Sequence, residues 1–240
     1  MRSGATWLCT ALLGLAAGSS AAGSFSVAPT RVELDANTRT AVVTLRNADP
    51  KPLTVQVTLV DWAQPTGEDR YQVTRDLLAT PPVFTLAPES EQIVRIALRR
   101  APDTAQERPY RIFFQEVPQA AQPGSNSLNV ALRVGVPVFV LATARSSASL
   151  RWEARRTTDG KLQIDAINDG LAHVQVTGFA LEADGASASR QVSAVRYVLP
   201  GSRISWTTEV PAGTSEPDTL RLQGDSDRGP LTATLVVAAP

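Results

Sequence analysis

The chain has 240 residues, and its 23 basic side chains balance its 23 acidic ones. That balance argues against a nucleic-acid binder, which usually carries a basic excess. One histidine and one cysteine leave little from which to build a metal centre or a nucleophilic catalytic site.

The first element is an expected targeting segment. Met1-Arg2 is a short positive start, Trp7 to Ala17 is apolar, and the small residues Gly18 to Gly23 follow. This pattern predicts a cleaved signal peptide over 1–22, cut near Ala22. The apolar run is short for a bilayer span, so no stable membrane insertion is expected. Cys9 lies inside the run behind Leu8, where a lipoprotein anchor would want a small residue. Its removal leaves an exported chain with no thiol, which must be held together by packed sheets.

Strand signals begin at Phe25 and run to Leu34. Thr40 to Leu45 and Leu53 to Val60 alternate apolar with polar, the period of a half-buried antiparallel strand. Between them Asn47-Ala48-Asp49-Pro50-Lys51-Pro52 is a turn cluster. Gln92 to Leu98, Tyr110 to Glu116 and Leu128 to Val140 continue the series, with turn-rich gaps between them. After Val140 the sequence becomes small and polar through Ser149, and reads as a linker. A second series covers Leu150 to Arg155, Lys161 to Asn168, His173 to Leu181, Val195 to Leu199, Arg203 to Val210, Thr219 to Gly224 and Leu231 to Ala238. No amphipathic helix stands out. The pattern predicts an all-β chain of two immunoglobulin-like sandwiches, with domains over 23–142 and 150–240 and a linker over 143–149.

Catalytic groups do not converge. His173 reads as a partly exposed strand histidine with a local hydrogen bond. Asp61, Glu116 and Asp165 lie in separate segments and read as solvated or turn-supporting carboxylates. Phosphate loops, nucleophile elbows and zinc motifs are missing from the sequence. The expectation is a non-enzymatic protein with no catalytic residue, no metal and no cofactor. Trp62 ends an apolar strand and reads as core or sandwich-edge packing, with sugar stacking as the alternative.

The segment from Ser127 to Val140 is long, against about five or six residues for an ordinary strand. Leu128, Val130, Leu132 and Val134 share one face. Pro137 has no N–H to give a ladder and places the strand at an edge near that residue. The aliphatic row either fills its own sandwich or is offered to a partner by β-augmentation, and periodicity alone leaves both open.

Several segments, taken together in order and spacing, resemble the periplasmic chaperones of pilus assembly. They are Phe25-Ser26-Val27-Ala28-Pro29-Thr30-Arg31-Val32, Leu45-Arg46-Asn47, Thr80 to Pro88, Gln92 to Ile96, Tyr110 to Pro118, and the strand from Leu128. In the second half Asn168-Asp169-Gly170 and Leu199-Pro200-Gly201-Ser202 are compatible. The resemblance implies a boomerang of two immunoglobulin-like domains in the periplasm. It implies that Leu128, Val130, Leu132 and Val134 complete an unfinished pilus or fimbrial subunit as a donor strand. It further implies that Arg31 grips the subunit's terminal carboxylate and that subunits pass to an outer-membrane usher. Better-known members place a second anchor, a lysine, where this chain has Pro137. Their aromatic-Arg-Pro ending is Phe139-Val140-Leu141-Ala142 here. The chain therefore resembles a divergent, archaic or spore-coat-type branch. Arg111, a charge on an apolar strand, is the candidate second anchor; snorkelling to solvent is the alternative. The short segment from Gln119 to Ser127 resembles chaperones of thick or simple pili. A two-domain structural or adhesive surface protein is the competing reading. Self-association is one way for the free protein to cover an exposed apolar row.

Overall fold

The structure is a computed structural model that describes residues 25–118, 131–214 and 216–239. The signal-peptide expectation over 1–22, and with it Leu128 and Val130 of the aliphatic row, lie outside the described residues. Seventeen strands and no helix are found among those described.

The first sandwich is built from ten strands. These are β1 (Phe25–Ala28), β2 (Val32–Leu34), β3 (Thr40–Asn47), β4 (Leu53–Ala63), β5 (Arg70–Val73), β6 (Leu77–Thr80), β7 (Val83–Leu86), β8 (Glu91–Leu98), β9 (Arg108–Val117) and β10 (Arg133–Val140). One sheet runs β1-β3-β8-β6 and the other β2-β10-β9-β4-β5, with β7 also on β4. Their inner faces close over Val43, Leu45, Val55, Val94, Ile96, Ile112, Phe114 and Val138, all fully buried. The second sandwich comprises β11 (Leu150–Arg156), β12 (Leu162–Asn168), β13 (Val174–Ala183), β14 (Arg190–Val198), β15 (Arg203–Thr208), β16 (Thr219–Ser226) and β17 (Gly229–Ala238). Its strands form one continuous path, β14-β13-β16-β17-β11-β12-β15, in which parallel pairing of β17 with β11 joins the two layers.

Alternation located most of these strands, and the departures have local causes. The expected single strand Phe25 to Leu34 is two strands in different sheets. β1 pairs with β3 and β2 with β10. Pro29 offers no N–H to continue a ladder, so the chain changes sheets across Pro29-Thr30-Arg31. Strands β5, β6 and β7 were not anticipated; each has four residues, too few to show a period. The expected strand from Leu128 is regular only from Arg133 among the described residues.

Two buried asparagines fix the corners. Asn47 Nδ2 donates to the carbonyls of Lys51 and Ala87, and its Oδ1 accepts from Asp49 N–H. Asn168 does the same in the second sandwich. Its Nδ2 donates to Ala172 and Val198 carbonyls at 2.8 and 3.0 Å, and its Oδ1 accepts from Ser149 and Gly170 N–H. The connection between sandwiches is thereby pinned: Ser147 C=O accepts from Leu171 N–H, and Thr143 and Ala144 N–H donate to Asp103 and Thr104. Losing a buried amide strands its partners, each at a cost of about 1–3 kcal/mol. Asn168→Ala should lower urea stability by at least about that much. A change within error would show that water replaces the amide.

Candidate functional site

β10 has two different environments along its length. It pairs with β9 throughout, from Arg133 opposite Gln115 to Val140 opposite Arg108. On its other side β2 reaches only Val138, Phe139 and Val140. Among the described residues the strand is therefore interior at its C-terminal end and an open edge before it, and the edge expected near Pro137 lies just N-terminal to it. The antiparallel ladder alternates. Leu132 C=O accepts from Glu116 N–H at 2.9 Å, and Leu141 N–H donates across to Leu34 C=O at 2.8 Å. In that register Val134 bonds to β9, while the N–H and C=O of Arg133 and Gly135 point to the open side. Pro137 sits at the junction, where its missing N–H would also have faced the open side.

Side chains divide the same way. Val136, Val138 and Val140 are buried in the first core, whereas Leu132 and Val134 are only partly buried against it. These two, the described members of the predicted aliphatic row, are thus not sealed within their own sandwich.

On the opposite face of this sheet, aromatic rings alternate with guanidinium groups. Arg133 lies 3.8 Å over Phe113, and Phe113 meets Tyr71 edge-on at 5.2 Å. Arg111 donates to the Tyr71 hydroxyl at 2.6 Å and lies 4.0 Å over Trp62. Each such cation–ring contact contributes about 0.5–2 kcal/mol according to its exposure. Gly135 makes room for this row, since a Cβ there would meet the Phe113 ring at 2.8 Å. Arg111 is mostly covered and its guanidinium reaches Asp69 at 3.6 Å, so it does not simply snorkel to solvent. Burial alone would raise the Asp69 carboxyl. Hydrogen bonds from Gln64, Trp62 and Tyr71, with the Arg111 charge, outweigh it and hold Asp69 below the usual carboxylate range. Burial and the bond to Asp69 push the Tyr71 phenol up to about 12.

The row ends at the junction of the two sandwiches. Trp62, Phe139 and Leu199 form a buried cluster, with Tyr197 and Leu141 packed against it. The packing expectation for Trp62 holds, and its Nε1 donates to Asp69 at 2.9 Å. Gln64 bridges the domains: its Nε2 donates to Tyr197 C=O and its Oε1 accepts from Leu199 N–H. Beside it, Gly67 adopts φ 80° and approaches the second sandwich so closely that a Cβ would lie 3.0 Å from Arg203 C=O.

His173 departs from its expected exposure. It is fully buried, its ring stacked on Phe139 at 3.5 Å and 7°. Its Nδ1 lies 2.6 Å from Oε1 of Glu107, itself fully buried. His173 immediately precedes β13, and its partner 66 positions away was not legible from sequence. Asp165 is likewise buried rather than solvated, because Gln163 and Arg203 donate to it at 2.8 and 2.6 Å. Asp61 is exposed and Glu116 half-buried. Among the described residues no group of three or more His, Cys, Asp and Glu side chains is placed to hold a metal ion.

Arg31 occupies the sheet-changing corner between β1 and β2. Its Nη1 donates to Asp227 Oδ2 at 2.6 Å, and its Nε lies 3.4 Å from Glu33. Burial opposes its charge, and the carboxylates of Asp227 and Glu33 more than restore it. Burial raises the Tyr197 phenol, while the charges of Arg31 and Arg111 both pull it back. The two arginines named from sequence therefore flank one interdomain tyrosine. Gln64, Asp69, Tyr71, Glu107, Tyr197 and Asp227 were not singled out; they lie in separate segments and meet only in the fold.

The family described as pili and flagellar-assembly chaperone, PapD N-terminal domain, matches residues 24–143. The chain belongs to this PapD-like family of periplasmic pilus and fimbrial assembly chaperones, a non-catalytic family. No curated protein matches the sequence. Among solved structures, it is similar to the CsuC–CsuE chaperone–tip adhesion subunit pre-assembly complex from the archaic Csu pili of Acinetobacter baumannii. That match has 17% identity and a TM-score of 0.67, over 90% of this chain and 99% of the other. The CupB2 chaperone of Pseudomonas aeruginosa aligns at 20% identity and TM-score 0.58, over 89% and 100%. The Salmonella enterica SafA pilin–SafB chaperone complex gives 20% and 0.59, over 89% and 97%. These are likenesses of fold, and they share the boomerang of two β-sandwich lobes.

A depressed carboxylate stabilises the fold above its unfolded value and loses that contribution as pH falls through the lower folded value. Asp69→Asn should therefore be clearly less stable than wild type at pH about 6, with the gap closing toward pH about 3. Urea denaturation across that range reads the difference. A gap independent of pH would mean that Asp69 acts through shape alone.

Proposed function

We propose that this protein receives unfinished pilus or fimbrial subunits in the periplasm by donor-strand complementation and delivers them to an outer-membrane usher. In this reading the chaperone domain covers 23–142 and its donor row is Leu128, Val130, Leu132 and Val134. Arg31 is the carboxylate anchor and Arg111 the second cation of the cleft. The second domain, 150–240, closes the cleft from the other side across the 143–149 linker.

The observation that carries the reading is the half-paired β10, in which Arg133 and Gly135 present backbone groups to an edge that no strand among the described residues covers. A subunit strand laid there gains hydrogen bonds of about 0.5–1.5 kcal/mol each. The donor side chains contribute about 1.5–3 kcal/mol each on burial, partly offset by the cost of ordering two chains. Arginine suits a terminal carboxylate because its fork can donate two parallel hydrogen bonds. Pro137 occupies the strand position at which the second cation was expected. Arg111, directly opposite it on β9, supplies a guanidinium from the neighbouring strand. The relatives captured with a tip adhesion subunit and with a pilin support the same class of partner.

The test co-expresses the protein with a pilus subunit encoded beside its usher. Wild type should co-purify with the subunit. Val130→Asp, which puts a charge in the donor row, should fold with an unchanged melting curve and recover little or none. Arg31→Ala should fold and recover markedly less subunit than wild type. Equal recovery by Val130→Asp would overturn the donor-strand reading, and equal recovery by Arg31→Ala would remove Arg31 from the site.

A further inference from the structure

Arg31 is already engaged in the free protein, and its partner has an alternative within reach. Asp227 lies in the turn between β16 and β17. Its Oδ1 is fixed by Gln175 N–H at 2.8 Å, so the carboxylate can pivot about that oxygen. Its Oδ2 takes Arg31 Nη1 at 2.6 Å and stands 3.8 Å from His173 Nε2. That Nε2 is buried and has no hydrogen-bond partner among the described residues. The His173 ring is held by the stack on Phe139 and by Glu107, so the movable member is Asp227.

A fork-like grip on another carboxylate through the terminal nitrogens of Arg31 needs Nη1. Asp227 must then give it up. A shift of about 1 Å brings Oδ2 to hydrogen-bond distance from His173 Nε2. The displaced carboxylate is thereby satisfied, together with a buried nitrogen that otherwise lacks a partner.

We infer that Asp227 is a resident carboxylate that keeps Arg31 oriented in the empty cleft and moves to His173 when a subunit's terminal carboxylate takes Arg31. This rests on the assignment of Arg31 as the carboxylate anchor. It makes Asp227 a specificity-determining residue: only an anionic chain end competes for the guanidinium, and an amidated end does not. His173 is then a positioning residue on the far side of the exchange.

The single histidine gives an unambiguous imidazole NMR signal in the full chain, purified without a histidine tag. N-acetylglycine serves as the carboxylate probe and N-acetylglycinamide as its uncharged control. In wild type the acid, and not the amide, should shift both the Arg31 Nε–H and the His173 imidazole signals saturably. Asp227→Asn keeps an oxygen for Gln175 N–H. It should bind the acid about two- to five-fold more tightly, the range for a partly exposed ion pair, and should abolish the His173 response. An Arg31 response with a silent His173, or with unchanged affinity in Asp227→Asn, would overturn the exchange and leave the anchor standing. If the acid moves neither signal, Arg31 does not bind carboxylates and the anchor assignment falls as well.

Discussion

A strand can bond to two neighbours, and among the described residues β10 has a second neighbour for only part of its length. The limit is set by β2, three residues long because Pro29 stops the preceding strand and the chain must change sheets before Val32. Val138 to Val140 are thereby locked into the first sandwich, and the stretch before Pro137 is left with one side unpaired among the described residues. Anchoring and availability are thus divided along a single strand. The buried half holds the open half in position, which reduces the conformational entropy that a partner strand must overcome on pairing.

The same sheet turns its aromatic–guanidinium face toward the domain junction. Arg133, Phe113, Tyr71, Arg111 and Trp62 support one another in sequence, and Trp62 passes that order into the cluster with Phe139, Tyr197 and Leu199. Polar groups then fix the relation of the sandwiches through Gln64, the Glu107–His173 pair, and Arg31 with Asp227. Burying Glu107 with His173 is costly unless both are paired, and removing either member would cost several kcal/mol. Such groups contribute little to net stability while setting one geometry. That geometry brings the charges of both arginines to bear on one tyrosine, Tyr197.

Much of the architecture could be read in advance. Alternation marked β3 and β4, and apolar runs between turn signals marked β8, β9 and most of the second sandwich. Strands β5 to β7 are too short to carry a period. The open edge was anticipated from Pro137, although its extent depends on the length of β2, a contact between segments about a hundred positions apart. Arg31 and Arg111 came from resemblance and from a charge on an apolar strand. Their partners Asp227, Asp69 and Tyr71 were not visible, because each lies far along the chain or in a turn. His173 was expected at the surface for the same reason: nothing near it in sequence announces Glu107.

The most direct test of the half-paired strand is amide hydrogen exchange resolved to single residues in β10, in the free protein and in its complex with a subunit. Arg133 and Gly135 should exchange fast when free and become protected on binding, while Val134, bonded to β9, is protected in both. Slow exchange at Arg133 and Gly135 in the free protein, or no gain in protection in the complex, would contradict an open edge as the docking strand.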